Sequence, residues 1–180
     1  QILKEIQPES GGFLEAAPLT SFVAMSLIGA GLADHPVTQK GLAFLEATVR
    51  EDGSWPIDTN LATWVTTLGI KALCRDSTSG ARLSGDARVK LRSWLLAQQG
   101  QVRHPYTLAE PGGWAWTNLS GGVPDADDTP GALLALHHLA EKTPEGQVAD
   151  ADLVSRASAG IQWLIGLQNR DGGIPTFCRG

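Results

Sequence analysis

Asp125, Asp127 and Asp128 place three carboxyl groups within four consecutive positions, directly before Thr129-Pro130 and a stretch, Thr129 to Ala140, that holds no Asp, Glu, Lys or Arg. Just upstream lies Gly112-Gly113-Trp114-Ala115-Trp116. Carboxylates clustered at the mouth of an apolar helix cannot all ionise cheaply. One keeps its proton near neutral pH, while anionic neighbours stabilise charge that develops nearby. Such an acid suits the protonation of a weak base such as an alkene. The carbocation that results needs negative surface that is not nucleophilic, and an indole face offers that at about 0.5 to 2 kcal/mol per contact. The same residues also read as a helix start, with Thr129 or Asp128 as cap, Pro130 tolerated in the first turn and acids at the positive end of the dipole. Taken alone, the Asp spacing leaves both readings open.

Other chemistries fit less well. His137 and His138 with Cys178 lack recognised zinc-ligand spacing, and His35 and His104 each precede a proline, as turn residues do. After Asp127-Asp128 come Thr129, Pro130 and Gly131, so no DDxxD pattern for magnesium and diphosphate is completed. Neither a metal nor another cofactor is expected.

The 180 residues carry 19 Asp and Glu against 14 Lys and Arg, a net charge of -5, and no basic run that would track a phosphate backbone, which argues against nucleic acid as a partner. Cys74 and Cys178 form no CxxC pair and read as free thiols of a reducing compartment. No stretch approaches the roughly 20 consecutive apolar residues of a membrane span, and no basic-then-apolar leader opens the chain. A cytoplasmic protein, soluble or peripherally attached to a membrane, is expected. The start at Gln1 and the loop-like ending Phe177-Cys178-Arg179-Gly180 suggest a single partial domain, residues 1–180, excised from a longer chain.

The elements that must position the acids follow from an internal repeat. Four glycine turns resemble one another, ending at Phe13, Trp55, Trp114 and Ile174, with successive steps of 42, 59 and 60 residues. Between them lie two kinds of helical segment. Leu19 to Leu32, Asn60 to Cys74 and Thr129 to Ala140 are nearly free of charge, which predicts burial. Val37 to Arg50, Gly85 to Gln99 and Asp152 to Asn169 carry charge beside an apolar stripe, in the last case Leu153, Ala157, Ile161, Leu164 and Gln168. Apolar inner helices alternating with amphipathic outer ones, in about three pairs, predict an all-α fold: an α/α toroid, here a partial α6-α6 barrel.

These residues carry a resemblance to the squalene-hopene cyclase family of triterpene cyclases. The glycine repeats resemble its QW motif at Lys40-Gly41, Phe44, Gly53 and Trp55; at Lys90, Trp94, Gln99, Gly112 and Trp114; and at Ala159-Gly160, Trp163, Gln168 and Gly172. Thr48 or Val49 stands where the first copy should have Gln, and Ile174 where the third should have Trp. GGWAW followed by Asp125-Ala126-Asp127-Asp128-Thr129 is similar to the family's aromatic segment and catalytic DxDD motif at the same separation. The resemblance implies that Asp127 donates the proton to a terminal alkene and that Asp125 and Asp128 tune it. It implies further that Trp116 faces a cationic centre of the folding polyene and that Trp64 lies on the cavity wall. Pro130, Gly131 and Val65 depart from the family's usual residues. The implied partners are a polyprenyl substrate such as squalene, the remaining half of the toroid, a second helical domain and a peripheral membrane contact in the full-length protein. Two rivals stay open: a non-catalytic toroid repeat that binds an apolar ligand or protein, and the β-subunit type of prenyltransferase, which needs zinc.

Overall fold

The computed structural model describes residues 1–74, 83–105, 107–141, 148 and 150–179; Gly180 of the loop-like ending lies outside the described residues. These form seven α-helices: α1 (Ile2–Ile6), α2 (Ala17–Gly29), α3 (Pro36–Thr48), α4 (Ala62–Cys74), α5 (Gly85–Ala97), α6 (Asp128–Leu139) and α7 (Ala151–Leu167). A 3-10 turn spans Phe13–Glu15. No strand occurs among the described residues, and no helix is long and apolar enough to cross a membrane.

The chain forms two compact units. In the first, residues 1–61 with 117–122, α2 packs along α3 and α1 rests on α3. The Nδ1 of His35 accepts the Val37 amide at 3.2 Å to cap α3, and Pro36 occupies its first position, where no amide is needed. Gly41 brings the two helices close: a Cβ there would lie 3.4 Å from Thr20 Cγ2. The buried Thr20 hydroxyl is satisfied by the Ala16 carbonyl at 2.8 Å.

In the second unit, residues 62–116 with 123–180, α6 packs against α4, α5 and α7. Its core is Ile70, Leu95, Trp114, Ala132, Ala135, Leu136, Leu139 and Leu153. The two alanines give α6 a thin face, and each large apolar side chain buried beside it contributes about 1.5 to 3 kcal/mol. Ser84 caps α5 through the Ala87 amide, and Asp150 caps α7 through those of Asp152 and Leu153. The Arg88 guanidinium donates to the His138 carbonyl at 2.5 Å, satisfying an acceptor at the end of α6.

The repeated turns share one construction. Their first glycines, Gly11, Gly53, Gly112 and Gly172, all have positive φ, between 81° and 123°. The side-chain amides of Gln7, Gln99 and Gln168 donate to the carbonyls of Gly11, Gly112 and Gly172 at 3.1, 2.8 and 2.8 Å. The indoles of Trp55 and Trp114 donate to the carbonyls of Leu45 and Leu95, both at 2.8 Å.

Two expectations need correction. The charge-free helices are covered on one side only: α2 buries Ala17, Thr20 and Ala24 but leaves Phe22 and Met25 65% and 64% exposed, and α4 buries Thr63, Thr67 and Ile70 but exposes Val65 and Leu68. Absence of charge shows that a helix tolerates apolar surroundings; it does not say which face they cover. The buried stripe of α7 is Leu153, Gly160, Trp163 and Leu167, whereas Ile161 and Gln168 are exposed. Gly160 sets this seam, because a Cβ there would come within 2.8 Å of the Trp114 ring.

Candidate active site

Thr129 joins the two segments that the sequence brings to attention. Its buried hydroxyl accepts the Trp114 amide at 2.9 Å and donates to the Trp114 carbonyl at 3.3 Å. That carbonyl also accepts the Asp125 amide at 3.1 Å. Two residues on, the Trp116 carbonyl accepts the amides of Thr63 and Trp64 at 3.0 and 3.1 Å, at the start of α4. The aromatic segment therefore bridges the amino-terminal ends of α4 and α6, satisfying helix donors that have no partner within their own helix.

The acids divide by environment. Asp125 and Asp128 are each 3% exposed, whereas Asp127 is exposed to solvent. The Oδ1 of Asp125 accepts the amides of Asp127 and Asp128 at 2.8 and 2.6 Å, so Asp125 caps α6. Neither Thr129 nor Asp128, the caps expected from the sequence, has that role: Asp128 is already the first helical residue, and the Thr129 hydroxyl is taken by Trp114. Burial pushes the Asp125 carboxyl up, opposed by those two amides and by a hydrogen bond with Asp128. Burial pushes Asp128 up to about 8, reinforced by the negative charge of Asp125, by their shared hydrogen bond and by the charge of Asp127. The Oδ1 of Asp128 is buried without a partner. The two carboxyls share a hydrogen bond, and burial favours the protonated form of each, so their titration belongs to the pair.

Trp116 is half-buried, with its indole N–H buried and unpartnered, and Trp64 is 39% exposed. Phe177 meets Trp116 edge-on, with ring centroids 6.2 Å apart, and the Ala126 amide donates to the Thr176 carbonyl at 2.9 Å. Sequence reasoning missed Phe177, which lies in a stretch without periodicity. A cavity of about 500 Å³ in the same unit is lined by residues that include Thr107, Trp163, Leu167 and Phe177, but by none of the three acids, Trp64 or Trp116. Among the described residues, no group of three or more His, Cys, Asp or Glu is arranged to hold a metal ion.

A family model described as the squalene-hopene cyclase C-terminal domain matches residues 60–180. The chain is 31% identical to a terpene cyclase-glycosyl transferase fusion protein of Humicola fuscoatra, over 97% of this chain and 14% of that protein. It is 30% identical to an enfumafungin synthase of Hormonema carpetanum, over 97% of this chain and 13% of the relative. A sporulenol synthase of Bacillus subtilis is 25% identical over 94% of this chain and 26% of the relative. The chain thus spans about a quarter or less of the length of these relatives.

Proposed function

This chain belongs to the squalene-hopene cyclase family, and we propose that it is the acid-bearing part of a terpene cyclase that protonates a polyprenyl alkene, such as the terminal one of squalene, to start carbocation cyclisation. The family's fold is the all-α α/α toroid of alternating inner and outer helices. In this reading residues 1–180 are one partial toroid of a longer chain, and Asp125-Ala126-Asp127-Asp128 is its DxDD motif. The glycine turns are its QW motifs.

The observation that carries the proposal is the buried Asp125–Asp128 pair at the start of α6, one carboxylate fixed by two amides and the other kept protonated, tied through Thr129 to GGWAW. Asp127, the exposed member, is the donor to the alkene, and the proton it transfers passes to it from Asp128 beforehand. In the first step the Asp127 O–H bond breaks and the alkene π pair forms the new C–H bond. The adjacent carbon is left cationic and Asp127 anionic. Asp125, already committed to the two amides, stabilises the charge without leaving its place. Trp116 and Trp64 face the cation through their indole rings. Loss of a proton to a base, or capture of water, ends the reaction. No metal is required for any of these steps.

The test is to supply squalene and related polyprenyls to the full-length protein and to its Asp127→Asn variant, and to follow the products by mass spectrometry. Removing a general acid lowers the rate by about 100- to 10,000-fold. Equal product from both proteins would refute the assignment of the donor.

A second reading, a toroid repeat that binds an apolar ligand or protein without chemistry, is favoured by the exposure of Asp127 and Trp64. Saturable binding of a polyprenyl with no product, unchanged in Asp127→Asn, would support it.

A further inference from the structure

Glu15 is a buried carboxyl that the proposed reaction does not use. It has no exposed surface. The chain reaches it through two successive residues in the left-handed region, Leu14 at φ 55° and Glu15 at φ 54°. L residues take that conformation at an energetic cost, and it persists only where the surroundings over-determine it. The bonds show what holds it. The Oε1 of Glu15 accepts the Ser10 hydroxyl and the Gly121 amide, both at 2.9 Å, while Oε2 is buried without a partner. The Glu15 carbonyl accepts both the amide and the hydroxyl of Thr59 at 3.1 Å. Only glycine fits opposite: a Cβ on residue 121 would lie 2.7 Å from Oε1. Two further bonds hold the same loop, from the Glu9 amide to the Ser120 hydroxyl at 3.2 Å and from the Thr117 hydroxyl to Asn60 Oδ1 at 3.0 Å. The ends of loop 117–122 run directly into Trp116 on one side and, through Val123 and Pro124, into Asp125 on the other.

We propose that Glu15 is a positioning residue: its carboxylate clamps Gly121 and so fixes the conformation of loop 117–122, whose two ends are continuous in the chain with Trp116 and, through Val123 and Pro124, with Asp125. An apolar residue would fill the same space but would leave the Gly121 amide buried without an acceptor. The consequence for catalysis rests on the cyclase reading; the clamp itself does not.

The experiment uses the full-length protein with Glu15→Ala, Glu15→Gln and Gly121→Ala, reading hydrogen exchange at the backbone amide of position 121 together with kcat, KM and product ratio on squalene. Glu15→Ala should lose protection of that amide. Its kcat per folded molecule should fall by about 100-fold, the scale expected for a misplacement near 1 Å, with KM unchanged and a larger share of incompletely cyclised product. Glu15→Gln, which keeps an oxygen acceptor, should restore protection and rate. The proposal is overturned if Glu15→Ala keeps the amide protected, if its kcat per folded molecule and product ratio match the parent, or if Glu15→Gln is impaired as severely as Glu15→Ala. Should Glu15→Ala fail to fold, Gly121→Ala probes the clamp from the loop side with the same outcomes. Should the parent protein make no cyclised product, the cyclase reading fails on that result, and the exchange measurement alone decides the clamp.

Discussion

Asp125 and Asp128 lie three positions apart and are equally buried, yet only Asp125 has two amide donors to hold it as an anion. Asp128, with one oxygen unpartnered and two carboxylates beside it, keeps its proton up to about pH 8. That elevation has a thermodynamic consequence with a definite sign. The ordinary value is 3.8, so between about pH 4 and 8 the folded chain holds a proton that the unfolded chain has released. The stability contributed by this group is full at the acidic end and is lost as pH rises through that window. The unfolding midpoint of Asp128→Asn should therefore gain on that of the parent as pH is raised from about 4 to about 8, as read by thermal melts across a buffer series. A difference that stays constant with pH would mean that Asp128 is already ionised in the fold. The acids themselves were legible from their spacing. Which of them faces water was not, because neighbouring positions in a helical turn point to different sides, and the sequence does not say where that turn begins.

At the scale of elements, α6 begins where it does because Asp125 supplies the cap and Thr129 anchors the first turn to Trp114. Thr129→Val keeps the shape and removes the hydroxyl. It should leave the Trp114 amide without this acceptor and cost about 1 to 3 kcal/mol, while Thr129→Ser should cost less. Urea unfolding in mildly acidic buffer measures both, and an equal loss in the two variants would show that packing of the methyl, not the hydroxyl, matters. The glycine turns were legible in the sequence because most of their construction is local: a positive-φ glycine, the Gln7 and Gln168 amides returning to carbonyls four residues on, and the Trp55 indole to one ten residues back. The α7 stripe was misread because its seam depends on a partner distant in sequence: Trp114 selects Gly160, and Ile161 is turned to solvent. Phe177 escaped for the same reason, since its contact with Trp116 has no periodic signature.

At the scale of the whole molecule, each unit taken separately leaves large apolar side chains in water: Phe22 and Met25 on α2 in the first, Trp64, Val65 and Leu68 on α4 in the second. Single exposed apolar residues are ordinary, but runs of them along a charge-free helix mark surface that gains from being covered. Together with a span of about a quarter or less of the relatives' length, this sets an expectation for the chain by itself. Asp127 is exposed, so a cation formed beside it would be captured by water before a second alkene could attack, and Trp64, itself 39% exposed, could not exclude that water. On the cyclase reading, residues 1–180 alone should therefore give no cyclised product, even with the acid pair intact, under conditions in which a longer protein that contains them does. They should also bind an apolar dye such as ANS more strongly per residue. Turnover by the isolated 180 residues would show that the acid-bearing segment shelters its own cation, and the apolar faces of α2 and α4 would then need another explanation.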